Sequence, residues 1–446
     1  MLTPFPTQIS GSRWLSSRHN ALLADQPRVG KTGTAILACD DVLAASVLVV
    51  TTASGRAVWE RAWADWSPFR RSVQVMTKPV PAAGDVVVVS WRGATSPEIR
   101  HELLRRRWDR LILDEAHAAK SFDAERTRAV YGEPVDDGVE LLGRGALAAH
   151  AGATWALTGT PVPNAPDDLY PMMRALCPER LTARDGLPDV TRQSVFRDRY
   201  CIVRAKKVAN RRIPVVVAGR NLEELRIRLD GFDLRRTQAD VGIRPPVYET
   251  WPLLVPAALR REVDGDTDRG RVLAAAEAGD TRALKMELGP LRRHTGALKA
   301  RVVAQAIEEE LKAGLDQVVL AYWHTEVGRY LRDRLAPHGV VGIDGATPAR
   351  TRADAVQRFR DGTARVFLGQ IQAAGEAIDL SAASELVFAE TSLVPKDMQQ
   401  MSLRITNHTQ ARLPRVRVAT LHGSIDATVE EILLRKWSAI REITRG

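Results

Sequence analysis

Twice along its length this chain runs through the same alternation. A short apolar run rich in β-branched residues ends in small or polar ones and gives way to a helical stretch. In the first half the runs are SVLVVTTA (46–53), DVVVVSW (85–91), DRLILDEA (109–116) and ATWALTGT (153–160). In the second they are DQVVLAYW (316–323), GVVGIDG (339–345), ARVFLGQ (364–370), ELVFAET (385–391) and RVRVATLHG (415–423). Strands that are apolar throughout and separated by helices belong in parallel sheets covered on both faces. The chain is therefore expected to be an α/β protein with two parallel-sheet lobes. Between the halves, GIRPPVYETWP (242–252) reads as a linker, followed by a polar helical stretch over about 257–298. The acidic, Gly-rich GEPVDDGVELLGRG (132–145) reads as a surface loop.

In such sheets ligands bind beyond the carboxyl ends of the strands, where these runs carry their polar residues. LLADQPRVGKTGTAI (22–36) has Gly30, Lys31 and Thr32 opening a helical stretch. A phosphate-cradling loop wraps backbone N–H groups around the β-phosphate at a helix N-terminus; its Lys neutralises β- and γ-oxygens and its Thr hydroxyl ligates Mg²⁺. The pattern is incomplete, because Asp25 occupies the first Gly position. Downstream, LILDEAH sets Asp114 and Glu115 just past an apolar strand. The first carboxylate suits Mg²⁺ held through water, and the second suits polarisation of an attacking water. ALTGTPVPN (156–164) then brings the Thr158 and Thr160 hydroxyls to a strand end, where they could relay the state of the γ-phosphate. The three pieces in this order point to a nucleotide-phosphate site with Mg²⁺ as cofactor; ATP as the substrate is what the resemblance given below implies.

The formal net charge is +10, and only ten of the 64 basic residues are Lys. A surplus of Arg suits phosphate contacts and favours a nucleic-acid partner. Cys39, Cys177 and Cys201 are widely spaced, with neither metal-type spacing nor a disulfide framework. The N-terminus lacks a charged-then-apolar signal pattern, and the apolar run 42–53 is too short to span a bilayer. A cytoplasmic location without membrane attachment is expected.

The order of these blocks resembles the superfamily 2 helicases and translocases, more narrowly the Swi/Snf family and its annealing-helicase branch. TQISGSRWL (7–15) is similar to the family's Q-x-x-G-x-x-W-L opening, and DEAHAAKS has Lys120 at the family's DEAH-x-x-K position. FRDRYC (196–201), GRNLEELRIRLDGFDLRRTQADV (219–241) and GTPVPNAPDDLY (159–170) resemble the annealing-helicase branch. GIDGATPARTRADAVQRF (342–359), IQAAGEAIDLSAAS (371–384) and HGSIDATVEEIL (422–433) resemble blocks of the second lobe. The resemblance runs from Gln8 to about Lys436.

It implies two RecA-like lobes with an ATP cleft between them and duplex or branched DNA across both, held without regard to sequence. Lobe 1 would be 1–241, a linker with a helical insertion 242–300, and lobe 2 301–446. The implied catalytic residues are Lys31, Asp114, Glu115 and Arg404. Gln8 would read the adenine edge, and Gly30, Lys31, Thr32 and Gln400 would also bind nucleotide. Mg²⁺ would be held by Thr32 and Asp114. His117, Thr158, Gly159, Thr160 and Gly375 would couple ATP to motion. Thr52, Ser90 and Lys120 would face DNA, unless the two hydroxyls merely cap strand ends.

Two departures stand out. Family loops read G-x-G-K-T, and Arg28 replaces the first of those glycines. Gly there signals positive φ or close backbone approach, so the loop is expected to be wider or Arg28 to swing out. In QQMSLRITNHTQ (399–410), Gln400, Arg404 and Gln410 fit the pattern Q-A-x-x-R-x-x-R-x-G-Q, but Asn407 holds the second Arg position, that of the finger on the γ-phosphate. The leading expectation is a DNA-stimulated ATPase that translocates on duplex or branched DNA, remodelling forks or reannealing strands. The alternatives are a DNA-bound switch that holds ATP with negligible hydrolysis, and a motor that displaces proteins from DNA. From its start almost at the Gln8 block, the chain is expected to have no N-terminal accessory domain, as would suit a phage or mobile element.

Overall fold

The computed structural model describes residues 2–133, 145–159, 165–208, 211–254, 281–374, 378–422 and 427. Thr160, Gly375, most of the acidic loop, the first part of the polar helical stretch and the block after His422 lie outside the described residues. Two compact units divide the chain, Met1–Thr237 and Gln238–Gly446.

The strands of the first unit are β1 (Ala21–Leu23), β2 (Val47–Thr51), β3 (Val73–Met76), β4 (Val86–Ser90), β5 (Trp108–Asp114), β6 (Ala151–Leu157), β7 (Cys201–Val208), β8 (Arg211–Gly219) and β9 (Asp233–Leu234). Seven of them form one parallel sheet in the order β3-β4-β2-β5-β6-β1-β9. The apolar runs are two-sided because both faces are covered. Val87 and Val89 of β4 join one core with Leu111 and Leu113 of β5. Val86 and Val88 join the other, with Ile112 and the indoles of Trp59 and Trp63. Three helices frame the strand ends that matter below: α1 (Pro6–Ser16), α2 (Lys31–Asp41) and α3 (Gly55–Trp66).

The second unit contains β10 (Val247–Leu253), β11 (Val318–Tyr322), β12 (Val340–Ile343), β13 (Val366–Gln370), β14 (Glu385–Phe388) and β15 (Arg415–Leu421). They form a second all-parallel sheet, β10-β15-β14-β11-β13-β12. Along β11, Val318, Leu320 and Tyr322 enter one core and Val319 and Ala321 the other. β10 lies inside the stretch read as a linker, and it pairs with β15 over its whole length. Its mostly exposed positions and Pro252 hid it, yet these are the marks of an edge strand, where a missing N–H costs little. The polar helical stretch is described as one helix, Thr281–Lys312.

Among the described residues no helix is long and apolar enough to cross a membrane. Cys39, Cys177 and Cys201 are buried free thiols.

Candidate functional site

β1 is only three residues long, and the loop after it leads through Gly30 to Lys31 and Thr32 at the start of α2. Gly30 is the N-cap of α2 in the left-handed region, φ 103°. Arg28 is left-handed as well, at φ 75°. The loop therefore keeps the backbone turn that a glycine would supply, and an arginine carries the strain. That strain is of the order of 1–2 kcal/mol for a residue with a Cβ. The Lys31 Nζ donates to the Asp25 carbonyl at 2.7 Å and to the Gln26 carbonyl at 3.3 Å. Its ammonium thus rests on the loop that it would serve. Thr32 follows in the first turn of α2, half-buried.

What replaces the first glycine is an anchor. Asp25 is fully buried, and its carboxylate accepts from the Arg236 backbone N–H at 2.9 Å and from the Arg236 Nε at 3.0 and 3.1 Å. The Arg236 Nη2 also binds it closely, and Nη1 donates to the Thr7 carbonyl. In return the Gln26 N–H donates to the Arg236 carbonyl at 2.9 Å. Gly11 leaves room for this guanidinium, since a Cβ there would lie 2.7 Å from Nη2. Arg236 was not singled out in the sequence. The signal available was an Asp where a loop glycine belongs, which calls for a buried cation elsewhere.

Gln8 of α1 packs beneath the same loop. It is 1 % exposed, its Oε1 accepts from the Phe5 N–H at 3.0 Å, and its Nε2 donates to the Gly30 carbonyl at 3.3 Å. In this arrangement its amide holds the loop.

Asp114 ends β5. Its Oδ2 accepts from the Thr51 hydroxyl at 2.7 Å and the Trp59 indole at 2.9 Å, and its Oδ1 accepts from the Glu115 N–H at 3.1 Å. Burial, and then the neighbouring Glu115 carboxylate, push the Asp114 carboxyl above its usual range. The two side-chain bonds and the positive charge of Lys31 pull the other way. Lys31 and Asp114 thus share one electrostatic site. Thr51 and Trp59 were missed in the sequence. On β2 the residue next to the named Thr52 faces Asp114, because consecutive strand residues point to opposite sides.

Glu115 is itself left-handed, φ 52°. Its Oε2 lies 3.2 Å from the His117 Nδ1, and the same nitrogen is 2.9 Å from the Thr158 hydroxyl. Thr158 is 1 % exposed and follows β6, with its N–H on the Leu23 carbonyl of β1 at 3.1 Å. One imidazole therefore joins the acidic pair to the TGT segment. Gly159 seats the loop from the other side, as a Cβ there would lie 2.8 Å from the Pro27 ring.

The residues named for DNA sit at the ends of β2 and β4 and beyond β5. The Thr52 hydroxyl accepts from the Gly55 N–H at 3.0 Å, and Ser90 accepts from the Gly93 N–H at 3.0 Å. Ser90 is thereby the N-cap of the helix Trp91–Thr95, and Thr52 accepts from the first residue of α3. The Lys120 Nζ lies 3.9 Å from Asp168, about a third exposed.

In the second unit Gln400 lies on the helix Pro395–Ser402, and Arg404 is half-buried in the turn Leu403–Ile405 that follows it. The Arg404 carbonyl accepts from the Leu380 N–H at 3.0 Å. The Asn407 amide donates to the Asp379 carboxylate at 3.2 Å and to the Ser381 hydroxyl at 3.3 Å. The Gln410 Nε2 binds the carbonyls of Ser381, Ala383 and Ile405 at 2.8, 3.0 and 3.3 Å. Asn407 is thus held by an acid in the segment after residue 378.

An Mg²⁺ ion fits the donors present in the first unit. A hydroxyl and one carboxylate are hard oxygen ligands, and Mg²⁺ in nucleotide sites keeps waters and substrate phosphates for the rest. No group of three or more His, Cys, Asp or Glu suited to caging a metal occurs among the described residues.

Comparison with known proteins matches residues 7–247 to the SNF2-related domain and residues 299–409 to the helicase conserved C-terminal domain. The chain is similar to the mouse (Mus musculus) DNA annealing helicase and endonuclease ZRANB3, 25% identical over 334 residues, covering 73% of this chain and 29% of that protein. It is also similar to the Drosophila melanogaster SWI/SNF-related matrix-associated actin-dependent regulator of chromatin subfamily A-like protein 1, 23% identical over 441 residues, covering 96% of this chain and 54% of that one. It therefore spans about a third to a half of the length of these relatives. A solved structure, the Sulfolobus solfataricus SWI2/SNF2 ATPase core in complex with dsDNA, aligns with a TM-score of 0.45 at 19% identity, covering 99% of this chain and 93% of that one.

Proposed function

We propose, because the chain belongs to the SNF2-related domain family, that it is a helicase-type ATPase motor directed to DNA, moving on duplex or branched DNA. The observation that carries this reading is the joined site of the first unit. Lys31 shares an electrostatic site with Asp114, and the Glu115–His117–Thr158 chain runs from the acidic pair to the next strand end. Lys31 would leave the loop carbonyls for the β- and γ-phosphates. Thr32 and Asp114 would hold Mg²⁺, which supplies charge neutralisation on the phosphate oxygens. Glu115 would orient and deprotonate the attacking water, and His117 would report its state to Thr158.

Phosphate release with and without duplex DNA tests this. The wild type is expected to release phosphate faster with DNA, and Lys31→Ala to lose both ATP affinity and turnover, since the ammonium is the loop's point charge on the phosphates. Undiminished DNA-stimulated turnover in Lys31→Ala would exclude this loop as the active site.

A second reading, a DNA-bound switch with negligible hydrolysis, is favoured by one observation. A neutral amide, bound to Asp379 and Ser381, stands where the family places a second arginine. Turnover that stays negligible at saturating DNA, with ATP still bound, would select it.

A further inference from the structure

Asp114 is held by two tryptophans, each through its indole N–H, the one polar group of that side chain. The Trp59 indole of α3 reaches the carboxylate. The Trp91 Nε1 donates to the Asp114 carbonyl at 2.9 Å. Trp91 is 7 % exposed and opens the helix Trp91–Thr95 directly after β4. The peptide between Asp114 and Glu115 is therefore held on both sides: its carbonyl by this indole, its N–H by the Asp114 Oδ1 at 3.1 Å. Fixing that peptide fixes the entry to Glu115. The left-handed backbone there, φ 52° and ψ 48°, is one that a residue with a Cβ keeps only when its surroundings hold it. Beyond it the Ala118 N–H closes the turn on the Glu115 carbonyl at 2.9 Å. The Trp91 indole is thus one of the bonds that aim the Glu115 carboxylate.

Where the indole comes from decides what it does. The register of β2 on β4 pairs Thr51 with Ser90. Thr51 is fully buried with its hydroxyl on the Asp114 Oδ2, and Trp91 holds the Asp114 carbonyl. Their chain neighbours are Thr52 and Ser90, the two residues that the motor reading turns towards DNA. At each strand end one residue serves the acid pair, and the next is expected at the phosphate backbone. A small shift of either strand end moves a donor on Asp114, and a buried bond has no water to take its place. The Lys31 ammonium rests instead on the loop after β1, and β2, β5 and β6 lie between β4 and β1. Such a shift therefore reaches the acids and leaves the seat of the phosphates alone.

We propose that Trp91 and Thr51 are positioning residues that carry DNA occupancy at the ends of β4 and β2 to the Asp114–Glu115 pair, so that DNA acts on turnover and not on ATP affinity. This rests on the motor reading above and gives its DNA stimulation a route.

The test is phosphate release by the full chain over a range of ATP concentrations, with and without saturating duplex, with duplex affinity and thermal midpoint measured in parallel. Trp91→Phe keeps a ring and removes the N–H. It is expected to lower the ratio of kcat with duplex to kcat without it by about fivefold, the worth of one neutral hydrogen bond. Its ATP KM and duplex affinity should stay within about twofold of wild type, since the lost bond acts on turnover alone. The control is Trp108→Phe. Trp108 belongs to the same core as Trp91, is 1 % exposed and donates from Nε1 to the Leu103 carbonyl at 3.0 Å. It loses the same kind of bond at the opposite end of β5 from Asp114, so its midpoint should fall about as far while the ratio stays that of wild type. Thr51→Val, which exchanges the hydroxyl for a methyl group, should also lower the ratio, and Thr51→Ser, which keeps the hydroxyl, should restore it. This pair decides the matter if Trp91→Phe does not fold. A wild-type ratio in folded Trp91→Phe or in Thr51→Val overturns the proposal. So does an equal fall in Trp108→Phe, a fall that comes with a raised KM or weaker duplex binding, or a Thr51→Ser as impaired as Thr51→Val. A wild type whose phosphate release ignores duplex overturns the motor reading itself, and the proposal with it. Wild-type stimulation that survives these substitutions overturns only this route.

Discussion

Arg28 shows a residue holding a backbone shape that its side chain disfavours, and the cost can be isolated. Arg28→Ala and Arg28→Gly lose the same guanidinium, and elsewhere Ala is the more stabilising of the two. At φ 75° the order should reverse, with Gly ahead by about 1 kcal/mol. That is a thermal midpoint about 2–4 °C higher for a unit of this size, readable in parallel melts. Asn407 carries a second expectation. An arginine placed there would meet the Asp379 carboxylate that now accepts the amide. Asn407→Arg alone is therefore expected to change DNA-stimulated turnover little, and Asn407→Arg with Asp379→Asn to raise it by about tenfold or more. A fully placed finger supplies about 10³–10⁵ in related hydrolases. An equal rate in wild type, single and double variants would place the transition-state charge elsewhere. At this scale the sequence was legible in placement: Lys31 opens α2 and Asp114 ends β5, as their local patterns implied. It was silent where one group is held by another far along the chain. No local pattern marks Trp59 as the donor to Asp114, or Asp379 as the partner of Asn407, since these meetings are made by packing.

At the scale of elements, the loop between β1 and α2 is buckled to the end of its own unit. Arg236 is 12 % exposed and Asp25 not at all. Arg236→Ala would leave a carboxylate buried and unpaired, a loss of about 3–5 kcal/mol. Arg236→Ala with Asp25→Asn should recover part of it, because the stranded charge is gone. Denaturant unfolding of the two variants measures this; equal stability in wild type and Arg236→Ala would show the pair to be dispensable. The strands divide by the same logic. Each apolar run of four residues or more was visible, because two-sided burial imposes a continuous apolar sequence. β1, β3, β9 and β10 were not; β3 is a half-buried run of four interrupted by Gln74. β1 and β9 are too short to show a period, and β10 is exposed along most of its length. Charges hid β7 and β8, which belong to no buried sheet.

The whole molecule is two units, each with apolar cores on both faces of its own sheet. Units with separate cores open as separate cooperative steps. Calorimetry is expected to resolve two transitions, with Arg236→Ala lowering one and leaving the other in place. A single transition that moves as a whole would mean that the units unfold together. The Asp25–Arg236 pair also bears on how the protein is made. Its partners are 211 residues apart, and a ribosome adding about 5–20 residues per second needs roughly 10–40 s to cover that distance. For that interval the nascent chain holds Asp25 without the counter-charge of Arg236. The loop proposed to grip ATP is thus timed by translation: its anchor closes only when nearly the whole first unit has emerged.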